Sequence, residues 1–111
     1  MCADPLIIIS YSLAPELPKI VRQMHPLTVV AGRMAKFSVE VKGTPAPQVT
    51  WFKNSQQMYH GAECSIFKDG GEHTLMLSQV YPEDSAVYSC VAKNDAGEAT
   101  SSAALHVEGK I

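Results

Sequence analysis

The stretch AKFSVEVKG, Ala35–Gly43, alternates without a break: Ala35, Phe37, Val39 and Val41 fall on one side, Lys36, Ser38, Glu40 and Lys42 on the other. A period of two describes an extended strand with one dry and one wet face. Such a strand is stable only when its dry face meets another, so the rest of the chain must supply partners. It does, in short runs separated by turn chemistry at a spacing of about 8–12 residues, as in an all-β sandwich or barrel. No helical period survives over ten residues.

TPAP, Thr44–Pro47, ends the first strand, because proline has no N–H to give a ladder. QVTWF follows, with Val49 and Trp51 sharing a face; KNSQQ reads as a polar turn. CSIF, Cys64–Phe67, is a short strand, and KDGGE turns through Gly70 and Gly71. HTLMLSQV places Leu75 and Leu77 inward, with Val80 inward after a change of phase. YPEDSA is a corner. AVYSCVAK puts Tyr88, Cys90 and Ala92 on one face, and NDAG, Asn94–Gly97, has the residues of a tight hairpin, where Asn and Gly tolerate positive φ. EATSSAALHV closes the set with Ala103, Leu105 and Val107 inward. Ahead of all these, PKIVRQMHPLTVVAG reads as one proline-interrupted edge strand. The sum is seven or eight strands over Pro18–Glu108.

A chain of 111 residues is one domain by size, and 46% hydrophobic with 18% charged residues is globular composition. With a net charge of −2 and no cluster of lysine or arginine, neither a nucleic acid nor an anionic membrane surface is indicated as partner. Chemistry is equally thin. The four histidines, His25, His60, His73 and His106, stand at no metal-ligand spacing, and His73 and His106 are assigned to outward phases of their strands. There is no Gly-x-Ser-x-Gly elbow. The DGG at Asp69–Gly71 lacks the length and lysine of a phosphate loop. No catalytic, cofactor-binding or metal-ligating residue is expected.

Trp51 near the middle, Tyr88 two residues before Cys90, and the strand count together match the immunoglobulin sandwich with its tyrosine corner. In detail, LTVVAGRMAKFSVEVKGTPAPQVTWFKN, DGGEHTLML and PEDSAVYSCVAKNDAGEATSSAALHV closely resemble the I-set immunoglobulin domains of titin-like giant muscle proteins. The resemblance implies two antiparallel sheets in a Greek key, with Val39, Trp51, Leu75, Leu77, Asp84, Tyr88 and Cys90 defining the fold. It also implies Asp84 at the turn into the penultimate strand, with Tyr88 hydrogen-bonding back across that corner.

The family's second-strand cysteine, which bridges to the one in YSC, is here Val39. The resemblance therefore leaves Cys90 without its usual partner. Closing that loop of about fifty residues would contribute about 4 kcal/mol in the chain-entropy model, so this chain must rely on apolar packing instead. In the family's geometry Cys64 lies in the sheet opposite Cys90, too far to bridge, and both are expected as free core thiols; Cys2 is an exposed thiol near a chain end. The odd cysteine count and the absence of an Asn-x-Ser/Thr sequon favour an intracellular protein.

DPLIIISYSLAP, Asp4–Pro15, has no counterpart in the family pattern. Asp4 stands where a secretory signal would be basic, the apolar run breaks at Ser10, and the stretch is too short to span a membrane. Ile7, Ile9, Tyr11 and Leu13 share one face of a strand, with Leu6 and Ile8 on the other. Three readings stand open: a linker between domains, a segment folding back on its own domain, or a strand added to a partner or a second copy. The expected organisation is residues 1–16 as extension or linker, 17–109 as the I-set domain and 110–111 as a tail.

The resemblance implies a non-catalytic module of a large intracellular, sarcomeric protein, without cofactor. It would act as a mechanical spacer beside neighbouring domains of a tandem array and as a docking surface for other proteins. The strands PKIVRQ and LTVV would form its clamp. A regulatory domain flanking a kinase or other enzyme in the same chain is the alternative, and an extracellular adhesion domain a third, disfavoured by Val39 and the missing sequons.

Overall fold

The computed structural model describes residues 14–109. Within them each alternating segment is a strand, and there are nine rather than seven or eight. They are β1 Glu16–Arg22, β2 Leu27–Val30, β3 Ala35–Thr44, β4 Gln48–Lys53, β5 Gln56–Met58, β6 Cys64–Asp69, β7 Glu72–Leu77, β8 Ala86–Asn94 and β9 Gly97–Glu108. A single 3-10 turn, Pro82–Asp84, leads into β8. The apolar stretch Leu6, Ile7, Ile8, Ile9, Tyr11 and Leu13, and Cys2, lie outside the described residues.

Two sheets face each other, in the orders β1-β3-β7-β6 and β2-β9-β8-β4-β5. Every pairing is antiparallel except β2 with β9, which run parallel. The dry face of β3, Ala35 to Val41, and Leu75 and Leu77 of β7 meet Trp51 of β4, Tyr88, Cys90 and Ala92 of β8, and Ala103, Leu105 and Val107 of β9. Phe37 and Tyr88 stack obliquely with ring centroids 5.3 Å apart. Val39 and Cys90 are both fully buried; each large buried side chain contributes about 1.5–3 kcal/mol through loss of apolar surface to water. This is the immunoglobulin-like sandwich, and Cys64 and Cys90 are both free within it.

The two extra strands come from places where alternation is silent. KNSQQ contains only a two-residue turn: Asn54 and Ser55 take φ of 49° and 72°, both positive as a type I′ hairpin needs, and the following Gln56–Met58 pairs with β4. The segment read as one interrupted strand is two strands in different sheets. Between them Met24 is buried, 4% exposed, and its N–H donates to Ser101 Oγ at 3.0 Å. That anchor carries the chain from the edge of one sheet to the edge of the other.

His73 is also corrected. It is 8% exposed, because it shares the phase of Leu75 and Leu77, and residues two apart in a strand point the same way. Desolvation, reinforced by the Lys68 charge, lowers its pKa, so the buried imidazole is held neutral. His106 does face outward.

Candidate functional site

The candidate site is the junction of β1, β2 and β9, where the one parallel pairing among the described residues lies. β2 registers Leu27 with Leu105, Thr28 with His106, Val29 with Val107 and Val30 with Glu108, all in the same direction. Leu27 and Val29 turn their side chains onto the core. The far end is tied down by the Ala31 N–H, donating to the Glu108 carbonyl at 2.8 Å. Beyond it the Gly32 N–H donates to the Val80 carbonyl at 2.7 Å and the Val80 N–H to the Arg33 carbonyl at 2.9 Å. Gly32 takes φ 90°, which a side chain would resist.

β1 is held more loosely. It meets β3 from Glu16–Thr44 to Arg22–Glu40 with two irregularities in register. Arg22 reaches Glu72 at 2.7 Å and Glu40 at 4.0 Å, pairs exposed enough that solvent screening leaves them weak. Its start is fixed by Asn94, whose Nδ2 donates to the carbonyls of Glu16 at 2.7 Å and Pro45 at 3.0 Å. The same side chain's Oδ1 accepts from the N–H of Ala96 at 2.8 Å and of Gly97 at 3.3 Å. Asn94 thus joins β1, the β3–β4 turn and the β8–β9 hairpin. Sequence reading gave it only a turn residue's tolerance of positive φ, which Gly97, at φ 157°, takes instead; a lone asparagine in a turn carries no signal of such remote partners.

At the opposite corner the Tyr88 hydroxyl donates to the Asp84 carbonyl at 2.8 Å. Burial, then the charge of Asp84, pushes the Tyr88 pKa up to about 12, so it stays a donor. Asp84 Oδ2 accepts from the Tyr81 N–H at 2.8 Å, and its Oδ1 lies 3.5 Å from Lys53 Nζ. Ser85 Oγ accepts from the Val107 N–H at 2.9 Å, so the corner also holds the far end of β9.

The chemistry of the remaining groups is quiet. Burial pushes the Cys90 thiol up to about 11, and burial with the Glu63 charge raises that of Cys64, whose Sγ donates to the Tyr59 carbonyl at 3.1 Å. Neither is a ready thiolate. A cleft of about 590 Å³ lies beside Met58, Cys64 and Asp84, and one of about 350 Å³ beside Trp51, Phe67 and His73; the Cys64 thiol is spent on the Tyr59 carbonyl rather than on a carboxylate. Among the described residues no three His, Cys, Asp or Glu side chains gather as metal ligands would. Val39, Trp51, Leu75, Leu77 and Cys90 are brought together as core, while Asp84 and Tyr88 form the corner.

Comparison with known proteins agrees with this geometry. The model of the immunoglobulin I-set domain matches residues 18–107. Titin of Drosophila melanogaster is 40% identical over 91 residues, 82% of this chain and, rounded, 0% of that protein. Vascular endothelial growth factor receptor 1 of Gallus gallus is 35% identical over 98 residues, 88% of this chain and 7% of the receptor. Among solved structures, the titin M10–obscurin like 1 immunoglobulin complex superposes with a TM-score of 0.81 at 39% identity, covering 86% of this chain and 96% of the matched one. The chain therefore spans only a small part of the curated relatives it matches.

Proposed function

The chain is a member of the immunoglobulin I-set family, and on that premise we propose that it is a non-catalytic spacer and docking module of a large intracellular, sarcomeric protein. The observation that carries the mechanical part is the parallel pairing of β2 with β9. β2 follows the amino-terminal strand and β9 runs to the carboxy-terminal end. Tension between the two ends slides these strands past each other and loads the four paired positions together. Hydrogen bonds loaded side by side must fail together, whereas a hairpin pulled from its open end loses them singly.

The test is single-molecule pulling with proline substitutions. The Ala31 N–H faces β9, and N–H groups alternate along a strand, so that of Val29 faces β9 and that of Thr28 faces away. Val29→Pro removes a clamp bond and should lower the unfolding force clearly, with Thr28→Pro lowering it less. Equal forces for wild type and Val29→Pro would end the clamp proposal.

Docking is supported by the similar domain solved within the titin M10–obscurin like 1 immunoglobulin complex, and it extends to strand addition through residues 6–13. Because β1 begins at Glu16, which Asn94 holds, a deletion should stop at residue 13. Unchanged mass in light scattering and unchanged melting would leave that segment a linker. The similarity to a growth factor receptor favours the extracellular alternative, and thiol counting in the denatured, unreduced protein separates the two. Three free thiols fit the intracellular reading; one would reverse it. The enzyme-flanking alternative is decided by the sequence on either side of this domain.

A further inference from the structure

β4 pairs with β8 along its whole length but with β5 only from Trp51 to Lys53. Backbone groups of successive residues point to opposite sides of a strand. The Asn54 N–H donates to the Val87 carbonyl at 2.9 Å, so Asn54, Phe52 and Thr50 turn their backbone groups toward β8. Lys53, Trp51 and Val49 turn theirs the other way, and Val49 lies beyond the end of β5. Its N–H and carbonyl form a short open edge.

That edge borders the cleft of about 350 Å³ between the sheets, which Trp51, Ile66, Phe67, Lys68 and His73 also line. Ile66 and Lys68 of β6 stand opposite Leu75 and His73 of β7, so all four share the inward phase. Lys68 lines the cleft and is exposed, which puts its charge at the mouth. Deeper in, Trp51 is 1% exposed. Its Nε1–H is the one buried side-chain polar atom among the described residues without a hydrogen-bond partner, and a buried donor left unpaired is costly. Among the described residues no carboxylate lines this cleft, in a chain of net charge −2. The larger cleft, by contrast, is bordered by Glu63, Glu83 and Asp84.

We propose that this cleft takes up an acidic side chain from an extended segment of a partner protein, laid along the open edge at Val49. The edge gives such a segment main-chain hydrogen bonds, and the cleft receives the side chain that points inward. A carboxylate is acceptor only, and the place offers donors: the Lys68 ammonium at the mouth and the Trp51 Nε1–H behind it. Ile66 and Phe67 cover the methylene stem. In the unbound domain Trp51 Nε1 is closed to solvent, so binding includes a small outward turn of the indole, a side-chain adjustment common at interfaces. The proposal rests on the docking role of the module. It uses neither the β2–β9 clamp nor residues 6–13, so its failure leaves both standing.

The test is nuclear magnetic resonance of the full 111-residue chain, titrated with the capped peptide acetyl-Thr-Val-Glu-Val-Thr-amide and with its glutamine twin. Trp51 is the only tryptophan, so its Nε1–H gives a single indole signal. The glutamate peptide should shift that signal and the Val49 amide saturably, with a Kd in the millimolar range. The glutamine twin, which lacks the charge, should bind about fivefold more weakly. Lys68→Glu sets like charges against each other and should weaken the glutamate peptide by at least about tenfold. Lys68 is exposed, so that variant should melt with wild type. The proposal is overturned if the glutamate peptide leaves the indole signal unmoved. Equal binding of the two peptides, Lys68→Glu binding like wild type, or shifts confined to the larger cleft would each overturn it as well, leaving Lys68 only a guard of its sheet edge.

Discussion

Restoring the cysteine pair that this domain lacks puts the packing of its two sheets to a quantitative test. Val39 occupies the position of the family's second-strand cysteine and is fully buried, as is Cys90. Val39→Cys removes buried apolar volume on the order of one methyl group, which costs roughly 1 kcal/mol when reduced. Oxidation would close a loop of about fifty residues and contribute about 4 kcal/mol, a net gain of roughly 3 kcal/mol over wild type. Urea unfolding with and without reductant should therefore show the variant less stable than wild type when reduced and more stable when oxidised. In a domain of this size the oxidised melting point should rise by more than about 10 °C. Thiol counting gives the structural half of the answer. The chain has three cysteines and the variant four, and after oxidation two should remain free. Four free thiols after full oxidation, with the variant folded, would mean that residues 39 and 90 do not face each other and that the sheet register is wrong.

Two further outcomes follow from single side chains. Asn94→Ala removes two donated and two accepted hydrogen bonds and should lower stability in urea by about 1–2 kcal/mol; Asn94→Asp keeps the acceptor but sets a carboxylate oxygen against the carbonyls of Glu16 and Pro45, and should not restore wild-type stability. His73 has a folded-state pKa below its unfolded value of about 6.5, so the unfolded chain binds the proton more readily. The stability this group contributes is present in full above pH of about 6.5 and falls as pH drops from there toward the folded pKa. His73→Gln should flatten the stability-against-pH slope in that window, relative to wild type; parallel slopes would mean that the imidazole is not buried.

Much of this sandwich is legible in the sequence because its central strands are dry on one face only. β3, β8 and β9 alternate, so a period of two gives both their extent and their inward residues. The rest of the fold lies where that signal is weak or belongs to distant contacts. β5 is polar at two of its three residues and is recognisable only from its turn. The switch of sheets between β1 and β2 depends on Met24 and Ser101, which lie far apart in the chain. Asn94 looks like any turn asparagine until Glu16 and Pro45 are brought beside it. The burial of His73 follows from its sharing the phase of Leu75, although a polar residue reads as outward when chemistry outweighs period. β1 and β2 are visible as two strand-forming segments, yet the proposed clamp depends on β2 running parallel to β9, which no local pattern encodes.

If β2 and β9 shear as a unit, the unfolding force depends on the direction of pulling. The unmodified ladder can be held through the two ends of the domain, or through handles at His25 and Ala104, both exposed. Those two positions flank the same end of the β2–β9 pairing, which begins at Leu27 and Leu105. Pulled through the ends, the four paired positions share the load; pulled from the flank, they open in turn. The unfolding force should be clearly higher through the ends. Equal forces in the two directions would contradict it.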